Sequence, residues 1–148
     1  MKPYPSEDIR NFAIVGHASS GKTMLAESIE AAAGAINRLG SIEAGTTMSD
    51  YHDAEKERQI SINATPLCVE FGGKKLNFID TPGYLDFMAE ALGPLRVCDA
   101  ALVVINATNG VEVGTTKVWD WSRELGVPHL VAVHSDQRLS VVFSGGII

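Results

Sequence analysis

One short glycine-bounded loop, Gly16-His17-Ala18-Ser19-Ser20-Gly21-Lys22-Thr23, constrains this chain more than any other stretch. The unbroken apolar run Phe12-Ala13-Ile14-Val15 precedes it and a helix-periodic segment follows, so the whole reads as strand, loop and helix N-terminus. Such a loop turns successive backbone N–H groups inward and makes a cradle for the phosphates of a nucleotide. The positive end of the helix dipole lies behind that cradle. Lys22 supplies a point charge for the β- and γ-phosphates, and Thr23 a hydroxyl for Mg²⁺. The plainer reading is a glycine turn beside a surface lysine, and the strand before and helix after argue against it.

The rest of the chain predicts a sheet around that loop. Residues 11–16 form a first strand, apolar enough to be buried on both faces. From Lys22 a helix carries Leu25, Ile29, Ala32 and Ile36 on one face, with Gly34 as an early stop. Residues 40–62 have no strong period and many polar groups, and a loop that long in a compact domain tends to be functional. Pro66 places the strand-like run 64–71 at a sheet edge, because proline cannot donate to a central ladder. Gly72-Gly73 then gives a tight hairpin into 75–80. Residues 100–106 and 129–133 read as further strands. Between them Val118, Trp121, Ser122 and Leu125 share a helix face, closed by Gly126 and Pro128. Pro94 predicts a kink or early end near Leu92 in the helical stretch 85–97. Strands alternating with helices predict an α/β fold, its sheet mostly parallel with one antiparallel edge strand.

Composition narrows the partners. The chain has 148 residues, 45% of them hydrophobic and 20% charged, which suffices for one domain with a core and argues against disorder. Its formal net charge of −6 offers no basic field for bare nucleic acid or an anionic membrane. Neither DNA nor a membrane is therefore an expected partner, and a nucleotide must be held by local N–H groups and Lys22. No apolar run approaches the roughly 20 residues of a membrane span, and residues 1–10 lack the apolar core of a signal peptide. Cys68 and Cys98 are isolated, without metal-like spacing. They are expected as reduced core thiols of a cytoplasmic protein.

Asp80-Thr81-Pro82-Gly83 falls where a strand ends, on the same sheet edge as the glycine loop. A carboxylate there can hold Mg²⁺, usually through a water, and the Gly83 N–H can approach a γ-phosphate with no Cβ in the way. Alone it is an ordinary turn, but it lies 57 positions after Thr23 at a strand end, which favours function. Between the two motifs, residues 46–62 are mostly a solvated charged loop. Ser61 differs, because its hydroxyl lies just before the edge strand, where it could complete a Mg²⁺ shell or simply face solvent.

Together these stretches resemble the GTP-binding domain of translation elongation factor G and its relatives. The resemblance runs from about Asp8 to Val133. It rests on Gly-His-x-x-x-Gly-Lys-Thr at 16–23, Thr47 with Glu57-Arg58-x-Ile60-Ser61-Ile62, and Asp80-Thr81-Pro82-Gly83-x-x-Asp86-Phe87. It continues through Arg96-Val97-x-Asp99, Gly110-Val111, Thr115 and Val118-Trp119. It implies a P-loop NTPase fold, GTP and GDP as ligands, Mg²⁺ as cofactor and the ribosome as partner of a full-length protein. In that reading Gly16 to Thr23 wrap the phosphates and Lys22 neutralises charge on the transferring phosphoryl group. Thr23, Ser61 and Asp80 serve the metal, and Gly83 senses the γ-phosphate. Loss of that phosphate would release residues 40–62 and 83–92, a two-state switch.

Three departures qualify the resemblance. Ser19 stands where the family commonly has aspartate. Tyr84 replaces the histidine that usually positions the attacking water. A phenol can hydrogen-bond a water but does not become a cation near neutral pH as an imidazole can. After Leu130-Val131-Ala132-Val133 the family continues Asn-Lys-x-Asp, which reads guanine, whereas this chain has His134-Ser135-Asp136-Gln137-Arg138. Asp136 is one position short and is taken as coincidence. The expectation is thus a partial GTP-binding domain at 1–133, incomplete on its C-terminal side, and a divergent tail at 134–148 from truncation or a frame shift. An incomplete sheet would expose apolar edges and lower solubility. A P-loop ATPase or kinase, and a nucleotide-binding module or inert fragment without turnover, remain open alternatives.

Overall fold

A computed structural model describes residues 2–135 and, as backbone strand, 138–142. Six strands form one sheet in the order β2-β3-β1-β4-β5-β6. These are β1 (Ile9–Gly16), β2 (Thr65–Phe71), β3 (Lys74–Asp80), β4 (Ala100–Asn106), β5 (His129–Ser135) and β6 (Arg138–Val142). The helices are α1 (Lys22–Ala32), α2 (Asp53–Arg58), α3 (Leu92–Val97) and α4 (Val113–Glu124). β1 lies parallel to both β3 and β4, and β4 parallel to β5. β2 is the expected antiparallel edge strand, its register running from Thr65 opposite Asp80 to Phe71 opposite Lys74.

The apolar runs explain the two layers. One face of the sheet packs Ile14, Val69, Phe78, Val104 and Ala132 against Leu25 and Ala26 of α1. The other packs Ala13, Val15, Ala101 and Val103 against Leu95 of α3 and Val118 of α4. Strand order reverses at β1, with α1 on one face and α3 and α4 on the other. That reversal opens a crevice at the C-terminal ends of the parallel strands, where ligands of open α/β sheets bind.

Several expectations need correction. The polar stretch 40–62 contains the helix α2, six residues of almost uniform charge whose lack of apolar period hid it. Pro94 neither kinks nor ends a helix. A 3-10 turn, Met88–Ala91, leads into α3, and Pro94 sits in the first turn of α3, where a missing N–H costs no intrahelical bond. α1 stops at Ala32, two residues before Gly34, so Ile36 lies beyond it. Cys68 is no core thiol: it is exposed on the edge strand, on the face opposite Val69, which packs toward α1. Cys98 is half-buried and packs against the core of the other face. Beyond the single antiparallel strand expected, β6 pairs antiparallel with β5 from Ser135–Arg138 to Val131–Val142 and covers that sheet edge. Of the tail at 134–148, residues 136, 137 and 143–148 lie outside the described residues, Asp136 among them. Among the described residues no helix is long and apolar enough to cross a membrane.

Candidate functional site

The loop between β1 and α1 is built for close approach. Ser19 and Gly21 take left-handed φ values of 57° and 96°, and alternation of that kind turns neighbouring N–H groups to one side. Gly16 leaves room for β4: a Cβ there would strike the Val104 carbonyl oxygen. His17 is fixed from the far side, its Nδ1 accepting the Gly114 N–H at 3.2 Å while Nε2 lies 3.6 Å from Glu112 Oε1. Ala18 lines a cavity in front of the loop, and Ser20 is buried with no partner for its hydroxyl. Lys22 Nζ donates to the His17 carbonyl at 2.7 Å, tying the lysine across the loop.

Three oxygen-bearing side chains converge beside that lysine. Thr23 Oγ1 donates to Asp80 Oδ2 at 2.8 Å and lies 3.2 Å from Ser61 Oγ. Thr81 anchors the end of β3 by donating to the Ile14 carbonyl at 2.7 Å, so the Asp80 carboxylate is held at the mouth of the glycine loop. Gly83 passes so close that a Cβ would meet Lys22 Nζ and come within 2.6 Å of the Ala18 nitrogen. Ser61, Gly83 and Tyr84 line one cavity of about 90 Å³ with Ala18, Lys22 and Thr23. Its size suits a phosphate end and not a whole nucleotide, since pockets for larger ligands run to roughly 300 Å³ or more. Tyr84, 42% exposed, stands at the rim.

Burial dominates the electrostatics. It lowers the Lys22 amine to about 8, against the opposing pull of Asp80 and Asp50. It raises the Asp80 carboxyl to about 6, with Lys22 and the Thr23 hydroxyl pulling it back. Asp50, absent from the sequence expectations, lines the same cavity. Burial raises its carboxyl, opposed by a hydrogen bond from Ser61 and by the charge of Lys22. Sequence reading missed Asp50 because a carboxylate in a charged run looks like solvated surface.

The donor set fits a small hard cation. Asp80 Oδ1 is buried without a well-formed hydrogen bond, although the Ser49 hydroxyl lies near enough to pull the carboxyl down, and a cation or its water would complete such an acceptor. Two hydroxyls and one or two carboxylates match the preference of Mg²⁺ for few protein ligands and retained waters. Among the described residues no group of three or more His, Cys, Asp or Glu gathers as a metal cluster, so a soft-metal site has no support there. At the opposite wall, the His134 ring packs on Gly21, where a Cβ would lie 2.7 Å from its Nδ1. The residue at the first position of the stretch where the resembling family has Asn-Lys-x-Asp therefore abuts the glycine loop.

A strand, a glycine loop and a helix bearing Lys22 and Thr23, faced by an aspartate from a neighbouring parallel strand, define a P-loop nucleotide-binding domain. Residues 7–135 match the family described as Elongation factor Tu GTP binding domain, and the chain belongs to that family. It is 36% identical over 144 residues to the mitochondrial ribosome-releasing factor 2 of Debaryomyces hansenii, covering 97% of this chain and 17% of that protein. The protein of the same name from Drosophila virilis is 37% identical over 138 residues, covering 93% and 19%. This chain thus spans less than a fifth of those relatives. A solved protein of Thermus thermophilus superposes with a TM-score of 0.82 at 42% identity, over 84% of this chain and 19% of that one. A bacterial selenocysteine-specific elongation factor, EF-Sec, shares the fold, with a TM-score of 0.66 at 23% identity over 82% and 19%.

Proposed function

We propose that this chain binds GTP and GDP with Mg²⁺ and hydrolyses GTP, as the GTP-binding portion of an elongation factor G-like translation factor acting on the ribosome. The observation that carries this reading is the meeting of Thr23, Ser61 and Asp80 beside Lys22, at the mouth of the glycine loop. Thr23 and Ser61 would hold Mg²⁺ directly and Asp80 through its water shell, with Asp50 as an additional carboxylate. When bound, that ion supplies charge neutralisation and a template for the phosphate oxygens. The amides of residues 16–23 and the Lys22 ammonium bind and orient the phosphate tail, and the Gly83 N–H donates to its end. Tyr84, at the rim, orients the attacking water through its hydroxyl without taking its proton. Hydrolysis then rests on positioning and charge stabilisation, and it is slow or differently stimulated relative to relatives with histidine there.

His134-Ser135-Asp136-Gln137, in place of the Asn-Lys-x-Asp whose carboxylate reads guanine in the resembling family, supports a second reading in which the base is chosen loosely. Calorimetric titration with GDP and a non-hydrolysable GTP analogue, with and without Mg²⁺, tests the main reading. Binding that Mg²⁺ strengthens and ATP fails to displace supports it, displacement by ATP supports loose base choice, and a flat titration across millimolar nucleotide overturns both. The proposed setting is the cytoplasm, checked by fractionating cells and following the chain with the ribosomes.

A further inference from the structure

Two buried carboxylates outside the cavity hold the loop that brings Asp50 and Ser61 into it. Glu27 on α1 is 1% exposed. Its Oε2 accepts the Gly40 N–H at 2.9 Å and its Oε1 accepts the Met48 N–H. Glu55 on α2, also 1% exposed, accepts the His52 N–H on Oε2 at 3.2 Å. Its Oε1 takes the Ile62 and Asn63 N–H groups, both at 3.0 Å.

The register matters more than the count. Met48 is two residues before Asp50, and Ile62 directly follows Ser61. Each carboxylate therefore fixes the backbone close to Asp50 or Ser61, two of the loop residues that line the cavity. Glu27 also lies one helical turn beyond Thr23 on the same face of α1, so the clamp and the metal-facing hydroxyl share one rigid arm. Ordering a loop of this length is entropically costly. A charge-assisted hydrogen bond from a backbone N–H to a carboxylate is among the stronger contacts that can offset that cost.

We propose that Glu27 is a positioning residue for the terminal phosphate: with Glu55 it pre-orders the loop, so that a triphosphate with Mg²⁺ meets Asp50 and Ser61 already in place. This rests on the nucleotide reading above. A diphosphate has no terminal phosphate to meet these groups, keeps at most the metal contact of Ser61, and gains less from the clamp. Glu27 thereby sets the preference for the triphosphate over the diphosphate without touching either.

Glu27→Gln is the test, because glutamine accepts on one side only and must turn its NH₂ toward one of two N–H donors. The 148-residue chain and the variant are titrated with Mg²⁺ plus GDP, and with Mg²⁺ plus a non-hydrolysable GTP analogue. The expected result is a loss of about tenfold in affinity for the analogue, with GDP changed by less than about twofold. Hydrogen exchange on the unmutated chain gives the second readout, with the Gly40 and Met48 amides slower under the analogue than under GDP. Equal losses for both nucleotides in the variant, an unchanged ratio, or equal exchange of those amides in both states would overturn the proposal while leaving nucleotide binding intact. Binding of neither nucleotide by the unmutated chain would overturn the nucleotide reading, and this proposal with it.

Discussion

The Thr23 hydroxyl donates to Asp80 Oδ2 at 2.8 Å, joining the start of α1 to the end of β3 across 57 positions of sequence. That bond commits one carboxylate oxygen to holding the threonine and leaves the other, Oδ1, buried with no better partner than the nearby Ser49 hydroxyl. The pair is thus arranged as half of a shell, with one oxygen positioning and one open.

Asp80→Asn separates those two roles. Asparagine can still accept from Thr23, so the fold survives and melting stays within a few degrees, helped by removal of a carboxylate that burial disfavours. The charge toward a divalent ion is gone. The expected outcome is GDP binding that no longer responds to Mg²⁺, read by titration with and without the ion. Full retention of the Mg²⁺ response would remove Asp80 from the metal shell.

Gly83 and Gly16 both lack room for a side chain, but against different neighbours. At Gly83 a methyl group meets the phosphate loop, at Lys22 Nζ and 2.6 Å from the Ala18 nitrogen. At Gly16 it meets the Val104 carbonyl in β4. Overpacking of this kind costs about 1–3 kcal/mol. Gly83→Ala should lose nucleotide affinity by more than it loses stability, and Gly16→Ala the reverse, because a central strand must shift. Paired thermal melts and titrations decide; the opposite order would mean that Gly83 does not face the phosphates.

What sequence made legible was whatever the backbone enforces through residue type. The glycine loop, the apolar strands around it and the edge position forced by Pro66 could be read because each depends on local chemistry. Asp50, Glu27 and Glu55 could not, since a carboxylate that accepts backbone N–H groups has the same letter as one in solvent. One signal was present for Glu27: Thr23 and Glu27 are four apart on α1, so Glu27 falls on the same helix face as the threonine that the glycine-loop motif singles out. α2 stayed hidden because its order comes from Glu55 reaching residues 62 and 63, a contact no periodicity records. Pro94 misled because one residue type breaks a helix interior yet suits a first turn, and only the structure fixes where α3 begins.

Lys22 carries a pH dependence whose sign follows from its burial. Its amine falls from 10.5 to about 8 in the folded chain, so the fold favours the neutral form. That contribution is fully present above 10.5 and is lost as pH falls through about 8. Nucleotide-free protein should therefore melt higher as pH rises across that window, and Lys22→Met should flatten the slope. Phosphate binding needs the ammonium, so GDP binding at about pH 9 takes up a proton while binding near neutrality takes up little. Calorimetry in two buffers of different ionisation enthalpy measures that uptake. None at the higher pH would mean that Lys22 does not meet the phosphates.

In the proposed function Tyr84 orients the attacking water, so substitutions there separate turnover from binding. It lines the cavity beside Gly83 and stands 42% exposed at the rim, within the segment that follows the β3 carboxylate. A phenol there can orient a water, whereas an imidazole can also share its proton or carry charge toward the transition state. Tyr84→His should raise GTP turnover with ribosomes present by about a hundredfold, the lower end of the range for a positioned acid–base group. Its affinity for the non-hydrolysable analogue should hardly change, since the role proposed for residue 84 is toward the attacking water and not toward the phosphates. Tyr84→Phe, which keeps the ring and removes the hydroxyl, should be slower than the unmutated chain if that hydroxyl holds the water. Phosphate release measured for all three chains gives the order histidine, tyrosine, phenylalanine. A slower histidine variant would mean that the attacking water is held elsewhere.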